Sequence, residues 1–163
     1  MRRLPYTVVP LLVAALLTAG DACAARMVQD RVAQRAAQFD RESDPVRKAR
    51  AFPRYGDELL KLLREQLKKE TYAPALETLE RYLTNASLAH KGLKESGINA
   101  ERKSNGFRQL QIHLRQSIRQ VEEAARSAPF ADRDRYEAIR REIEQMNRDL
   151  INMLFPRQPG KRP

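Results

Sequence analysis

Apolar residues recur along most of this chain at alternating intervals of three and four, the spacing that gathers side chains on one face of an α-helix. The clearest run is Tyr72, Leu76, Leu79, Leu83, Ala86, His90 and Leu93. A second comprises Phe107, Leu110, Leu114, Ile118, Val121, Ala125 and Ala128, and a third Tyr136, Ile139, Ile143, Met146, Leu150 and Met153. Ahead of these, Leu59, Leu62, Leu63 and Leu67 form a stripe with Leu60 beside it. Val28, Val32, Arg35 and Phe39 stand at near-heptad spacing and predict a more modest helix over 26–41. No segment alternates with period two between turn residues, so the pattern offers no strand.

Polar and breaker residues separate these runs. Ser43-Asp44-Pro45 reads as a helix start, a capping side chain followed by proline at the first helical position. Pro53 is expected to kink or restart that helix. Lys68-Lys69-Glu70-Thr71 makes a tight connection in which Thr71 is placed to cap the next helix, with Pro74 tolerated in its first turn. Gly97 ends that helix as a C-terminal glycine. A connector comes next, with a helical turn around Ala100–Lys103, and Asn105-Gly106 breaks continuity. Pro129 stops the next helix, Asp132 is placed to cap the last one, and Phe155-Pro156 ends it.

The fold these signals predict is all-α: an antiparallel bundle of about four amphipathic helices, because short connections between long helices favour antiparallel neighbours. A leader precedes it. Met1-Arg2-Arg3 is a positive start, Val8 to Ala19 an apolar run of about 12 residues, and Ala22-Cys23-Ala24 a small-x-small cleavage pattern that cuts before Ala25. The run falls short of the ~20 residues a spanning helix needs. The chain therefore divides into a signal peptide over 1–24, an N-terminal helical arm over 25–44, a bundle domain over 45–156 and a flexible tail over 157–163. Export, most simply to a periplasm, is the expected destination. Two rivals exist: an uncleaved anchor, and a lipoprotein signal ending at Cys23, whose preceding Gly20-Asp21-Ala22 departs from the usual Leu-Ala/Ser-Gly/Ala.

Composition sharpens this picture in two ways. Cys23 is the single cysteine. Cleavage after it removes the only thiol, and with it disulfide, zinc–cysteine and cysteine-nucleophile chemistry. The net charge is +10, or +9 without the leader, with 23 arginines against eight lysines. Such a chain is drawn to anionic lipid, polyphosphate, nucleic acid or acidic polysaccharide.

Candidate chemistry is sparse. His90 on an apolar seam and His113 beside another could approach and bind a metal if their helices pack antiparallel, but structural zinc wants four ligands at tight local spacing. No metal site and no cofactor is expected. Glu77 and Glu80, Glu122 and Glu123, and Glu142 and Glu144 stand among arginines on outward faces, where general acid–base work would need carboxylates converging in a cleft. No G-x-S-x-G, P-loop or Gly-rich phosphate loop occurs, so no enzyme is expected. Asn85-Ala86-Ser87 fits a glycosylation sequon but falls mid-helix. The sharpest feature is a ridge: at ~100° per residue, Arg108, Arg115, Arg119 and Arg126 fall within about 20° of one line some ~27 Å long, away from the apolar stripe of their helix. Four guanidiniums in a row can track phosphates or acidic polymer. Glu122 and Glu123 border the row, and no aromatic residues interleave for base stacking.

The stretch from Tyr55 to Ser87 resembles a single tetratricopeptide-type helical hairpin, with Tyr72, Ala75, Leu79 and Tyr82 where that repeat carries second-helix aromatic and small residues. The resemblance implies a helical pair and a peptide-binding role. Leu63 stands where the repeat carries a glycine, and no second copy occurs at a 34-residue period. As a whole the chain resembles exported all-helical proteins of soil bacteria, which implies a fold and no activity. Three functions are expected from these readings. One is a non-enzymatic interaction or scaffold protein of the cell envelope with a protein partner. Another is a basic module that binds an anionic polymer or lipid surface. The third is a periplasmic chaperone or stress protein similar to the Spy/CpxP type, whose Leu-Thr-x-x-Gln motif does not occur here. No small-molecule substrate is expected.

Overall fold

A computed structural model describes the backbone of residues 14–156 and the side chains of residues 26–156. The start of the leader and the 157–163 tail lie outside the described residues, as do the side chains of the cleavage motif. Among the described residues the protein is all-α: α1 (Ala14–Arg41), α2 (Pro45–Lys68), α3 (Tyr72–Glu95), α4 (Asn105–Ser127), a 3₁₀ turn (Phe130–Asp132) and α5 (Arg133–Leu154). No helix among them is long and apolar enough to cross a membrane.

Each chain neighbour runs antiparallel. Pro45 at the start of α2 lies beside Gly92 near the end of α3, and Gly56 beside Tyr82. Gln111 of α4 donates to Asn147 of α5 at 2.9 Å. Helices two apart run parallel. Val46 and Gly56 of α2 meet Gly106 and His113 of α4 in the same order. Glu80, Ser87 and His90 of α3 meet Arg135, Met146 and Asp149 of α5 in the same order. The result is a square, α2–α3–α5–α4, with α3 and α4 on a diagonal where they barely touch. The lower half of α1 packs outside α2. Its Phe39 is fully buried and holds ring contacts with Phe52 and Tyr55 at 5.8 and 5.7 Å, which ties α1 into the same core.

The helix boundaries reflect their local chemistry. Asp44 caps α2 by accepting from the Arg47 N–H at 2.7 Å, and Pro45 opens the helix. Gly97 takes the left-handed conformation at φ +66, which closes α3 and which glycine adopts without a Cβ penalty. Asn99 accepts from the N–H groups of Glu101 and Arg102 and so builds the connector turn.

Four local expectations need correction. Pro53 does not restart a helix: α2 continues through it, because Phe52, Tyr55 and Gly56 on either side are buried and tertiary packing offsets the lost hydrogen bond. Thr71 stands at the N-cap of α3, but its hydroxyl donates back to the Gln66 carbonyl at 3.0 Å and so closes the end of α2. Asp132 precedes α5 in helical conformation without a capping hydrogen bond. Gly106 does not break α4 but lies inside its first turn. A Cβ there would stand 2.9 Å from Val46 Cγ1 and 3.0 Å from the Val46 carbonyl, so glycine lets α2 and α4 approach.

Candidate functional site

α4 buries one face and presents the other fully to solvent. Phe107, Leu110, Leu114 and Val121 point into the core. Arg108, Arg115, Arg119 and Arg126 are all exposed on the opposite side. The helix holds them in register because its backbone fixes 1.5 Å of rise and ~100° per residue. Arg126 is tied down: its Nη2 donates to Glu122 Oε1 at 2.6 Å, one turn earlier. Arg108, Arg115 and Arg119 have no acidic side chain within 4.0 Å among the described residues. The ridge is therefore three open guanidiniums and one closed one.

α5 pairs three of its five arginines with carboxylates and, among the described residues, leaves Arg133 and Arg141 without one. Arg140 bonds Glu137 at 2.8 Å and also Glu144, Arg148 approaches Glu144 at 3.9 Å, and Arg135 crosses to Glu80 of α3 at 2.9 Å. The carboxylates Glu80, Glu122 and Glu144 are engaged in these pairs, and nothing brings them together in a cleft. Asn85 of the sequon sits on α3 with its amide donating to the Arg81 carbonyl of its own helix.

The two histidines go to different partners, because α3 and α4 are diagonal in the square. His90 faces α5, with Nε2 3.7 Å from Asp149 Oδ2, too long for a hydrogen bond. His113 faces α2, with Nδ1 3.5 Å from Asp57 Oδ1. Burial lowers the pKa of both. His90 is partly restored by Asp149 and lowered further by Lys94. His113 is pushed down to about 4 by burial, which keeps it neutral. Among the described residues no three His, Cys, Asp or Glu side chains gather where they could hold a metal ion.

Around His113 the core carries an unusual polar cluster. Its Nε2 and the Tyr82 hydroxyl are both buried without a hydrogen-bond partner among the described residues. The rings pack at 5.8 Å, with Phe52 edge-on to the imidazole at 5.4 Å. Burial also raises the Tyr82 pKa well above its ordinary value. Ser117, fully buried nearby, donates to the Leu114 carbonyl at 2.8 Å.

A feature absent from the sequence expectations lies on the outer side of this cluster. α2 and α4 enclose an open groove of about 640 Å³, with His113 in its lining. Arg47, Arg50 and Arg54 form the α2 wall, and Gln109, Ile112 and Gln116 the α4 wall. The arginines are spaced three and four apart, so one helix face carries them all. That spacing was the available signal. The groove itself appears only when two helices that are not chain neighbours pack together. Comparison with known protein families, with curated proteins and with solved structures finds no match to this chain.

Proposed function

We propose that the protein is a non-enzymatic binding module of the cell envelope that holds an extended anionic polymer along the outer face of α4. One observation carries the reading: Arg108, Arg115 and Arg119 stand exposed in a line with no acidic partner among the described residues, whereas α5 neutralises Arg135, Arg140 and Arg148. Unpaired guanidiniums at ~11 Å and ~6 Å along a rigid helix present their donors to successive anionic groups, and a bound polymer gains by releasing counterions. Net charge of +10 adds long-range attraction. The absence of aromatic residues between the arginines favours a polymer recognised by its charge over one recognised by its bases.

One observation bears on both other readings. Among the described residues Phe130 and Phe155 are the most exposed large apolar ones, at 85% and 67%, but they lie at opposite ends of α5 and do not join in one patch for a protein partner. The chaperone reading calls for an apolar client surface of the same kind.

The experiment is retention of the purified protein on immobilised inorganic polyphosphate at low and high salt. Retention at low salt that is released by moderate salt is the expected result. Retention on anionic vesicles alone would move the ligand to a lipid surface, and no retention on any polyanion would leave the scaffold reading.

A further inference from the structure

A second cationic element lies beside the α4 ridge: its arginines stand on α2, and α4 contributes Gln109, Ile112, His113 and Gln116 to its lining but none of the ridge arginines. We propose that the groove between α2 and α4 is a binding site for a small ligand bearing a phosphate or carboxylate group, gripped by Arg47, Arg50 and Arg54.

The shape comes first. At about 640 Å³ the groove falls within the ~300–1,000 Å³ of small-ligand sites, whereas a polymer surface needs no concavity. It is built on two helices locked together at Val46–Gly106 and Gly56–His113, so its walls are preorganised. The chemistry comes second. All three arginines are exposed, and none has an acidic side chain within 4.0 Å among the described residues, even though Glu42 and Asp57 share the lining. Asp57 approaches His113 instead. The fork of a guanidinium matches the two oxygens of a carboxylate or phosphate, and three forks on one wall suit an oxyanion with more than one charge.

The opposite wall supplies the rest of a ligand site. Gln109 and Gln116 stand two turns apart, with neutral donors and acceptors, and Ile112 between them offers an apolar strip, itself 39% exposed. A few convergent polar groups beside apolar surface is the usual make-up of a site that fixes a ligand's orientation. A smaller hollow of about 370 Å³ shares Arg54 and adds Arg35 and Arg41 from α1. Cationic lining thus continues over the α1–α2 corner and leaves room for a second anionic group. The ligand class is a small polyanion, a phosphomonoester, diphosphate or polycarboxylate. No bond is made or broken in this step.

The test is an NMR titration of the purified, labelled protein with inorganic pyrophosphate and, separately, with citrate. Saturable shifts at the Gln109 and Gln116 amides and at the Arg47, Arg50 and Arg54 side chains are expected. Pyrophosphate alone, citrate alone or both supports the site and reports whether phosphate or carboxylate is preferred. Arg50→Gln should weaken binding about tenfold, the effect of losing one charge-assisted contact. Arg140→Gln with Arg141→Gln, which removes more charge elsewhere, should leave it unchanged. Shifts spread evenly over all exposed arginines, equal weakening by the α5 pair, or no saturable shift with either probe would overturn the proposal. A failure here leaves the α4 reading standing, because that reading is measured with a polymer.

Discussion

The absent side chain of Gly56 is what admits the His113 imidazole to the bundle: a Cβ on Gly56 would stand 2.4 Å from His113 Nε2 and 3.0 Å from Tyr82 Cε2. The pair joins α2 to α4 at mid-length and sets the floor beneath the arginine-walled groove.

Gly56→Ala should therefore destabilise, against helix propensity. In an open helix interior the change stabilises by about 1 kcal/mol. Here overpacking costs about 1–3 kcal/mol, so urea unfolding should show a net loss. In a His113→Ala background the 2.4 Å clash is gone and only the tight 3.0 Å approach to Tyr82 Cε2 remains, so Gly56→Ala should cost markedly less than in the unaltered protein. A stabilised single variant would mean that the close approach does not exist.

His113 should also make stability fall with acid. Its pKa is held at about 4 in the fold and is about 6.5 in an unfolded chain. Between those values the unfolded state binds the proton and the folded state does not. Stability from this group is complete above pH ~6.5 and is lost as pH falls toward 4, by about 3 kcal/mol in all. Unfolding free energies of the protein and of His113→Leu, measured across that window, should diverge in slope, with the variant flatter. Carboxylates other than Asp57, which stands 3.5 Å from His113, keep their surroundings in the variant, so parallel curves would contradict burial of a neutral imidazole.

Leu79 is fully buried in the middle of α3, and Leu83, at 8% exposure, lies toward the rim. Leu79→Ala should cost about 2–5 kcal/mol, with Leu83→Ala at the lower end of that range. A change below about half a kcal/mol in urea unfolding of either variant would place the stripe outside the core.

Export is testable at the chain's start. α1 runs from Ala14 through the expected cut before Ala25, and its buried anchors Val28, Val32 and Phe39 all lie beyond that point. Cleavage thus leaves the helix with every described core contact. Mass spectrometry of the native protein should find an N-terminus at Ala25, and a chain beginning at Met1 would contradict the leader reading.

The fold was largely legible because its signals are local. The α4 stripe from Phe107 to Ala128 is buried except for Ile118, which is half-buried, and Asp44-Pro45 and Gly97 mark real boundaries. What escaped depends on packing between elements. Tyr82 is fully buried yet lies off the three–four stripe of α3, because α3 is flanked by α1, α2 and α5 and buries a wider arc than one seam. Gly106 reads as a breaker in sequence and serves as a point of close approach in space. Arg47, Arg50 and Arg54 look like ordinary solvated charges until α4, two elements later, closes the other side of their groove. The α4 ridge was visible because a single helix builds it.

The most direct measurement of that ridge is the salt dependence of polyphosphate binding for the protein and two double variants. Arg115→Gln with Arg119→Gln removes two open guanidiniums from the line. Arg140→Gln with Arg141→Gln removes equal charge from α5, where Arg140 is paired with Glu137 and Glu144. The ridge pair should weaken binding and flatten the slope of log affinity against log salt by about 1–2. Stability should shift by no more than about half a kcal/mol. The α5 pair should leave the slope within error of the unaltered protein. Equal losses from both pairs would mean that net charge alone binds the polymer and that α4 carries no site.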